Sequence, residues 1–168
     1  MKEIQLTGKH AEGKVILIDD DMFDRVSYFD WHIVKEIHTC YALTNIVLPN
    51  GKWGVVRMHQ VIMGVPKSYI DHIDSNGLNN QRSNLRPCTI GQNNRNCNSY
   101  IGSSQYKGVY WEKNCNKWRA SVRINGKHTY LGFFDPDHEH MAAFAYDLAA
   151  MEHYGEFAKL NLSIYNQQ

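Results

Sequence analysis

The 168-residue sequence has no C-x-x-C pair; its four cysteines, Cys40, Cys88, Cys97 and Cys115, stand singly and far apart. That spacing argues against a zinc knuckle and for reduced thiols of the kind kept in a cytosol. No apolar run approaches the ~20 residues that span a bilayer. The opening "MKEIQLTGKHAEGK" holds no apolar segment of signal-peptide type. Net charge of one sign is lacking too, at only +1. What remains is a cytoplasmic chain of one domain or two small ones. Its composition, 43% hydrophobic and 21% charged, is that of an ordinary globular protein.

The small total charge conceals a pattern. Residues 1–51 carry −3, residues 52–100 carry +4, residues 103–130 carry +5 and residues 131–168 carry −5. Basic blocks between acidic ones point to basic faces rather than a basic protein, and basic faces suit a polyanion.

Periodicity then sets the elements. "KVILID" reads as a strand, and "DDDMFDRVSYFDW" as a short helix with acids at its front. "WHIVKEI", "CYALTNIVL" and "KWGVVRM" read as strands, the last two joined by a "PNG" turn. "HQVIMG" makes one helical turn that stops at Gly64. "SYIDHID" and "NLRPCT" are strands on either side of a long polar loop, with Pro87 confining the second to an edge. Thr89 is placed to cap a helix over "IGQNNRNCN". "SYIGSS" (99–104) has linker composition.

Beyond it, "YKGVYWE", "KWRASVRI" and "KHTYLGFF" are strands, the last two joined by an Asn-Gly hairpin. A helix over "DPDHEHMAAFAYDLAAMEHYG" is expected to start at Asp135-Pro136 and stop at Gly155. Ala142, Phe144, Ala145, Leu148, Ala149 and Met151 are expected to form its face against the sheet. The fold class is α+β.

The chemistry concentrates in "YIDHIDSNGLNNQRSNLRPCTIGQNNRN". It resembles the ββα-metal motif of HNH endonucleases, in the D-H…N…N form of phage and intron homing enzymes. The ordered set Asp71-His72, Asn84-Leu85, Asn93 carries the resemblance, which covers roughly residues 59–96. It implies a nuclease domain over residues 1–98, with the ββα unit at about 67–98.

Hydrolysing a phosphodiester needs a nucleophilic water, neutralised phosphate charge and help for a leaving 3′ oxygen; a hard cation on oxygen ligands serves the last two. The resemblance implies Asp71 and Asn93 as ligands of Mg²⁺ (or Mn²⁺) and His72 as general base, an imidazole largely neutral at pH 7. Asn84 would orient His72 or brace the loop. A neutral amide oxygen at Asn93, where the family's name has histidine, favours Mg²⁺ or Mn²⁺ over zinc. Neighbours in a strand point to opposite faces, so Asp71 and His72 reach one phosphate only if the strand bends or ends there. Asp74 is read as bonding the loop backbone. His59 is read as a packing or phosphate-contacting residue, and Arg82, Arg86 and Arg95 as contacts to DNA backbone.

Residues 106–161 resemble the AP2 (ERF-type) DNA-binding domain through "YKGVYW", "KWRASVRINGKHTYLGFF", "AAFAYDLAA" and "YGEFAKLN". That implies a domain over 105–168, a three-stranded antiparallel sheet laid in the major groove of double-stranded DNA with one helix behind it. The +5 strands and −5 helix and tail agree with it independently. Lys107, Lys117, Arg119, Arg123 and His128 are candidates for phosphate or base edges. Tyr110 and Tyr130, with Lys107, Arg123 and His128, match AP2 contact positions. Trp111, Trp118 and Tyr130 are candidates for packing on sugars, against a core role for each.

The expectation is therefore a phage-type, metal-dependent homing endonuclease working in a bacterial cytoplasm, a monomer that nicks by default. The alternatives are a non-cleaving AP2-type DNA-binding regulator with an inactive HNH unit, and a structural RNA-binding module.

Overall fold

In the computed structural model of the chain, the described residues are 1–5, 11–64, 69–97 and 102–162. Two compact units emerge, Met1–Asn93 and Asn94–Gln168. The stretch read as a linker at 99–104 lies in part, at 99–101, outside the described residues.

In the first unit, β1 (Lys2–Gln5) and β2 (Val15–Ile18) pair antiparallel. The alternation of "VILI" puts Ile16 and Ile18 wholly inside, 0% exposed. A 3₁₀ turn over Asp20–Met22 leads into α1 (Phe23–Ser27). The antiparallel meander β3 (His32–Lys35), β4 (Cys40–Val47) and β5 (Trp53–Arg57) follows in that spatial order. Then come α2 (Met58–Met63), β6 (Tyr69–His72), β7 (Leu85–Cys88) and α3 (Ile90–Asn96), whose last three residues count with the second unit. Gly64 stops α2 in the left-handed conformation at φ 66°, which glycine adopts at no steric cost.

One apolar core binds these pieces. Ile16, Ile18, Met22, Val26, Met58, Ile62, Ile70, Leu78 and Leu85 all belong to it. The backbone of β2 also reaches the polar loop directly. The Leu17 N–H donates to the Leu78 carbonyl at 2.9 Å, and the Asn80 N–H donates to the Leu17 carbonyl at 2.8 Å. A buried strand thus holds residues 78–80 in place, although loops are usually the least constrained parts of a chain. Gly77 allows this approach: a Cβ there would stand 2.5 Å from the Cys40 carbonyl oxygen and 2.6 Å from the Tyr41 ring.

β6 and β7 pair antiparallel, with Asp71 opposite Arg86 and His72 opposite Leu85. Thr89 opens α3 as a reciprocal cap: its Oγ1 accepts from the Gln92 N–H at 3.2 Å, and the Gln92 side chain accepts from the Thr89 N–H at 2.8 Å.

The second unit is an antiparallel sheet of β8 (Val109–Glu112), β9 (Lys117–Ile124) and β10 (Lys127–Phe134), in the order β10-β9-β8, with α4 (Glu139–Tyr154) against it. Asn125 and Gly126 both have positive φ, 49° and 80°, as a tight two-residue hairpin requires.

Two expectations about α4 are corrected. Asp135 does precede Pro136, but its carboxylate pairs with Lys117 at 3.0 Å rather than capping, and a 3₁₀ turn over Pro136–His138 comes before the α-helix. The packed face also differs in part. Ala142, Ala145 and Ala149 pack against the core as expected, joined by the buried Ala143, Tyr146, Ala150 and Tyr154, whereas Leu148 and Met151 are 49% and 43% exposed. Tyrosine hydroxyls and small side chains set this choice. Three alanines let the helix come close. The Tyr154 hydroxyl donates to the Arg123 carbonyl at 2.7 Å and accepts from the Arg123 N–H at 3.1 Å. Tyr146 lies over Gly108, where a Cβ would collide with its ring. Leucine and methionine can make none of those bonds and fall on the outside.

Asp147, 0% exposed, accepts the Asn161 and Leu162 N–H groups at 2.8 and 2.9 Å and so ties the tail to α4. No helix among the described residues is long and apolar enough to cross a membrane.

Candidate active site and nucleic-acid face

β6 ends at His72, and the chain turns there: the Ser75 N–H donates to the His72 carbonyl at 2.8 Å, with Ser75 at φ 64°. Asp71 and His72, neighbours in the strand, are both buried at 3% and 5% exposure. Asp71 faces the register partner across the hairpin. Arg86 donates Nε at 2.9 Å and Nη2 at 2.7 Å to one oxygen, Asp71 Oδ2. The carboxylate thus keeps a cation beside it.

His72 sits under two rings. His59, from α2, meets it edge-on with ring centres 4.9 Å apart, and Tyr41, from β4, lies at 5.7 Å. Burial pushes the His72 pKa down, opposed by the Asn80 side chain and by Asp74 and Asp71. His59 is pushed further, to about 3, by burial first and then by His72 and Arg57. Both imidazoles are therefore neutral at pH 7. Asn80 is 1% exposed beside His72, and neither of its side-chain polar atoms finds a well-formed hydrogen bond among the described residues.

The loop is braced from within. Asn84 Nδ2 donates to Asp74 Oδ1 at 2.9 Å and to the Asn79 carbonyl at 2.8 Å, while Asn84 Oδ1 accepts from the Asp74 N–H at 3.0 Å. Asp74 also accepts from the Asn76 N–H and from Asn79 Nδ2, each at 2.8 Å. Three of the four asparagines that look like filler in the sequence, Asn76, Asn79 and Asn84, are wired to one carboxylate. Arg82 points elsewhere: its guanidinium pairs with Asp21 and its N–H donates to Asp19, each at 2.8 Å, which fastens the loop to the acidic turn before α1.

Asn93 lies on α3 and lines a cleft of about 360 Å³ together with Glu36, Tyr41, Arg57, His59, Gln60, Tyr69 and Ile70. Arg57 borders this cleft while paired with Glu36 at 2.7 Å and stacked over Tyr41. Tyr41, Arg57, Glu36 and Asn80 were not singled out in the sequence. They come from β4, β5, the turn after β3 and mid-loop, carry no motif, and gain meaning only where packing brings them to the cleft or to His72.

Among the described residues, no group of three or more His, Cys, Asp or Glu side chains gathers as a metal cluster. A set of one carboxylate and one carboxamide is of another kind. Its oxygens suit a hard divalent cation that keeps most of its shell for water and phosphate. Asp71 fits that part: its buried carboxylate is already set against a positive group.

In the second unit, register assigns the faces. Val109, Trp111, Trp118 and Ala120 share the α4 side, and Tyr110, Lys117, Arg119, Ser121, Arg123, His128 and Tyr130 share the other. Arg119 is central there, over Tyr110 at 5.4 Å and Tyr130 at 5.6 Å, with its Nε buried and lacking an acceptor among the described residues. Arg123 Nε donates to the Gly126 carbonyl at 3.1 Å and bends over the hairpin. Phe133, 45% exposed and opposite Arg119, joins this face through the irregularity between Tyr130 and Gly132, which no alternation rule foretells.

Trp111 and Trp118 instead pack edge-to-face at 5.0 Å, and Trp118 Nε1 donates to the Pro136 carbonyl at 2.9 Å. Lys107 is not on the open face either. Its ammonium donates to the Arg95 and Cys97 carbonyls at 2.6 Å and to that of Asn94 at 3.3 Å, closing the end of α3, and burial lowers its pKa to about 8. Arg95 lies over the Tyr154 ring at 4.7 Å.

No family model matches the chain. It is similar to "Uncharacterized HNH endonuclease L560" of Acanthamoeba polyphaga mimivirus, 33% identical over 152 residues that make up 90% of this chain and 76% of that protein. A shorter stretch of 65 residues, 38% of the chain, is 40% identical to Protein 3.8 of Escherichia phage T7 over 54% of its length. Another, of 62 residues, 37% of the chain, is 42% identical to the AP2-like ethylene-responsive transcription factor TOE2 of Arabidopsis thaliana over 12% of its length.

Proposed function

Since the chain belongs to the HNH endonuclease family, we propose that it hydrolyses phosphodiester bonds in double-stranded DNA, with a ββα-metal unit that cuts and an AP2-type sheet that holds the site. The observation that carries this reading is the pair Asp71-His72 at the end of β6, one side chain buried against a cation and the other held as a neutral imidazole.

Asp71 and Asn93 would hold Mg²⁺ or Mn²⁺, which supplies charge neutralisation at the phosphate and at the leaving 3′ oxygen. His72 accepts the proton of the attacking water, a role open to it because burial keeps the imidazole unprotonated. Asn84 keeps the loop in shape through Asp74 and so keeps His72 at the strand end. His59 and Tyr41 wall the imidazole and fix its tilt.

On the open face of the second sheet, Lys117, Arg119, Arg123 and His128 contact phosphate or base edges, and Tyr110, Tyr130 and Phe133 pack on sugars. Partial similarity to AP2-like factors supports this role. The enzyme is of homing type, encoded by a phage and active in the cytoplasm of its host, a setting supported by likeness to viral proteins. With one such site per chain, a monomer nicks one strand.

Mapping the ends produced on genomic DNA with Mg²⁺ tests the proposal. Discrete ends from the wild type are expected, with loss of cutting but not of DNA binding in His72→Ala. Undiminished cutting by that variant would sink the assignment of the base. No product under any divalent metal would favour a DNA-binding regulator.

A further inference from the structure

The Asp71–Arg86 pair is out of place for a surface nuclease loop. Asp71 is the register partner of Arg86 across the β6–β7 hairpin, and their side chains are 4% and 11% exposed. A basic residue in a basic block normally reaches into solvent to meet phosphate. This one turns inward and sets two donors on a single oxygen, Oδ2. The planar guanidinium suits that task, since its donors diverge in a fixed fork.

Taking a carboxylate out of water is costly unless a positive partner meets it. A nuclease that holds a divalent cation through Asp71 faces that cost whenever the cation is elsewhere. Two solutions exist: let the carboxylate reach water, or give it a resident cation. The burial of Asp71 excludes the first and Arg86 supplies the second.

We propose that Arg86 is a positioning residue for Asp71, the resident counter-charge that keeps this carboxylate seated in its buried place with or without a bound divalent cation. The inference rests on the reading of Asp71 as a metal ligand. Arg86 thereby leaves the set of backbone-contacting arginines, and its effect is on the metal rather than on DNA.

The consequence is thermodynamic coupling between Arg86 and the metal. Where the guanidinium is missing, the divalent ion becomes the main counter-charge for Asp71, so binding it stabilises the fold more. Full-length wild type, Arg86→Met, Asp71→Asn and the double variant Asp71→Asn/Arg86→Met are melted in EDTA and in Mn²⁺ alone, without DNA. The expected result is a gain in Tm with Mn²⁺ that is larger in Arg86→Met than in wild type by at least ~5 °C. The double variant, with neither charge, should fold in EDTA and gain nothing from Mn²⁺.

A merely structural Arg86 would cost Arg86→Met the same stability in EDTA and in Mn²⁺, and that outcome overturns the inference. If Arg86→Met is unfolded in EDTA, refolding in Mn²⁺ supports it, and failure to refold in either overturns it. Should Asp71→Asn respond to Mn²⁺ as the wild type does, the assignment of Asp71 as a ligand has itself failed, which is a different signature.

Discussion

The imidazole of His59 meets that of His72 edge-on, ring centres 4.9 Å apart, although 13 positions separate them in the chain. The two rings come from α2 and the end of β6, and Tyr41 completes the stack from β4. What in the sequence was a histidine of packing or phosphate contact is the wall of the candidate base.

This pairing predicts an acid-sensitive fold. Folded His59 stays neutral down to about pH 3, whereas the unfolded side chain protonates near 6.5. Below pH 6.5 the unfolded state binds the extra proton, so stability is lost as pH falls toward 3, by up to about 1.4 kcal/mol per pH unit. Urea midpoints at pH 7, 6 and 5 should therefore drop less steeply in His59→Gln than in the wild type. Parallel pH profiles would contradict the burial of a neutral His59.

The three bonds of Asn84 predict a loop held by one side chain. Asn84→Ala removes all three, at about 2–4 kcal/mol of stability. Asn84→Asp keeps the size but sets two carboxylates together and should be at least as damaging. Denaturant titration checks both. A loss below ~0.5 kcal/mol for Asn84→Ala would show the loop to be held by β2 alone.

Gly77 should tolerate no side chain. In Gly77→Ala the new Cβ meets the Cys40 carbonyl oxygen at 2.5 Å, and backbone rather than a flexible side chain has to give way. A loss of about 1–3 kcal/mol is expected, along with slower cleavage as the loop moves off β4. Gly91, whose nearest such neighbour is 3.9 Å away, serves as the control, and Gly91→Ala should be neutral or mildly stabilising.

On the open sheet face, Arg119→Ala should weaken duplex binding by about 1–3 kcal/mol, roughly 5- to 150-fold, because it removes the central guanidinium between Tyr110 and Tyr130. Glu152→Ala, on the far side of the unit in α4, should leave affinity within twofold or raise it slightly at low salt. Fluorescence anisotropy at two salt concentrations measures both. Equal losses for the two variants would place the DNA elsewhere.

Much was legible in the chain itself. Every strand but β1, the stop at Gly64, the cap at Thr89 and the Asn125-Gly126 hairpin follow from local chemistry, since each depends on residues a few positions apart. The ordered set Asp71, His72, Asn84 and Asn93 is likewise picked out by spacing, and its roles belong to the proposal. The uses of Arg82, Arg86 and Lys107 were not legible. Each is a long cation whose partner lies 10 to 61 positions away, and nothing in a sequence says whether such a side chain meets water, phosphate or a buried acceptor.

By itself, then, the sequence determined the order of elements, the alternating faces of the sheets and the candidates for the site. These are local properties, set by backbone propensity and by side-chain period. Only the tertiary structure decided which face of α4 turns inward, that His59 and Tyr41 enclose His72, and that Arg86 is spent on Asp71. Those are settled by which groups can be buried together with their hydrogen bonds and charges met, a condition that exists only once distant segments pack.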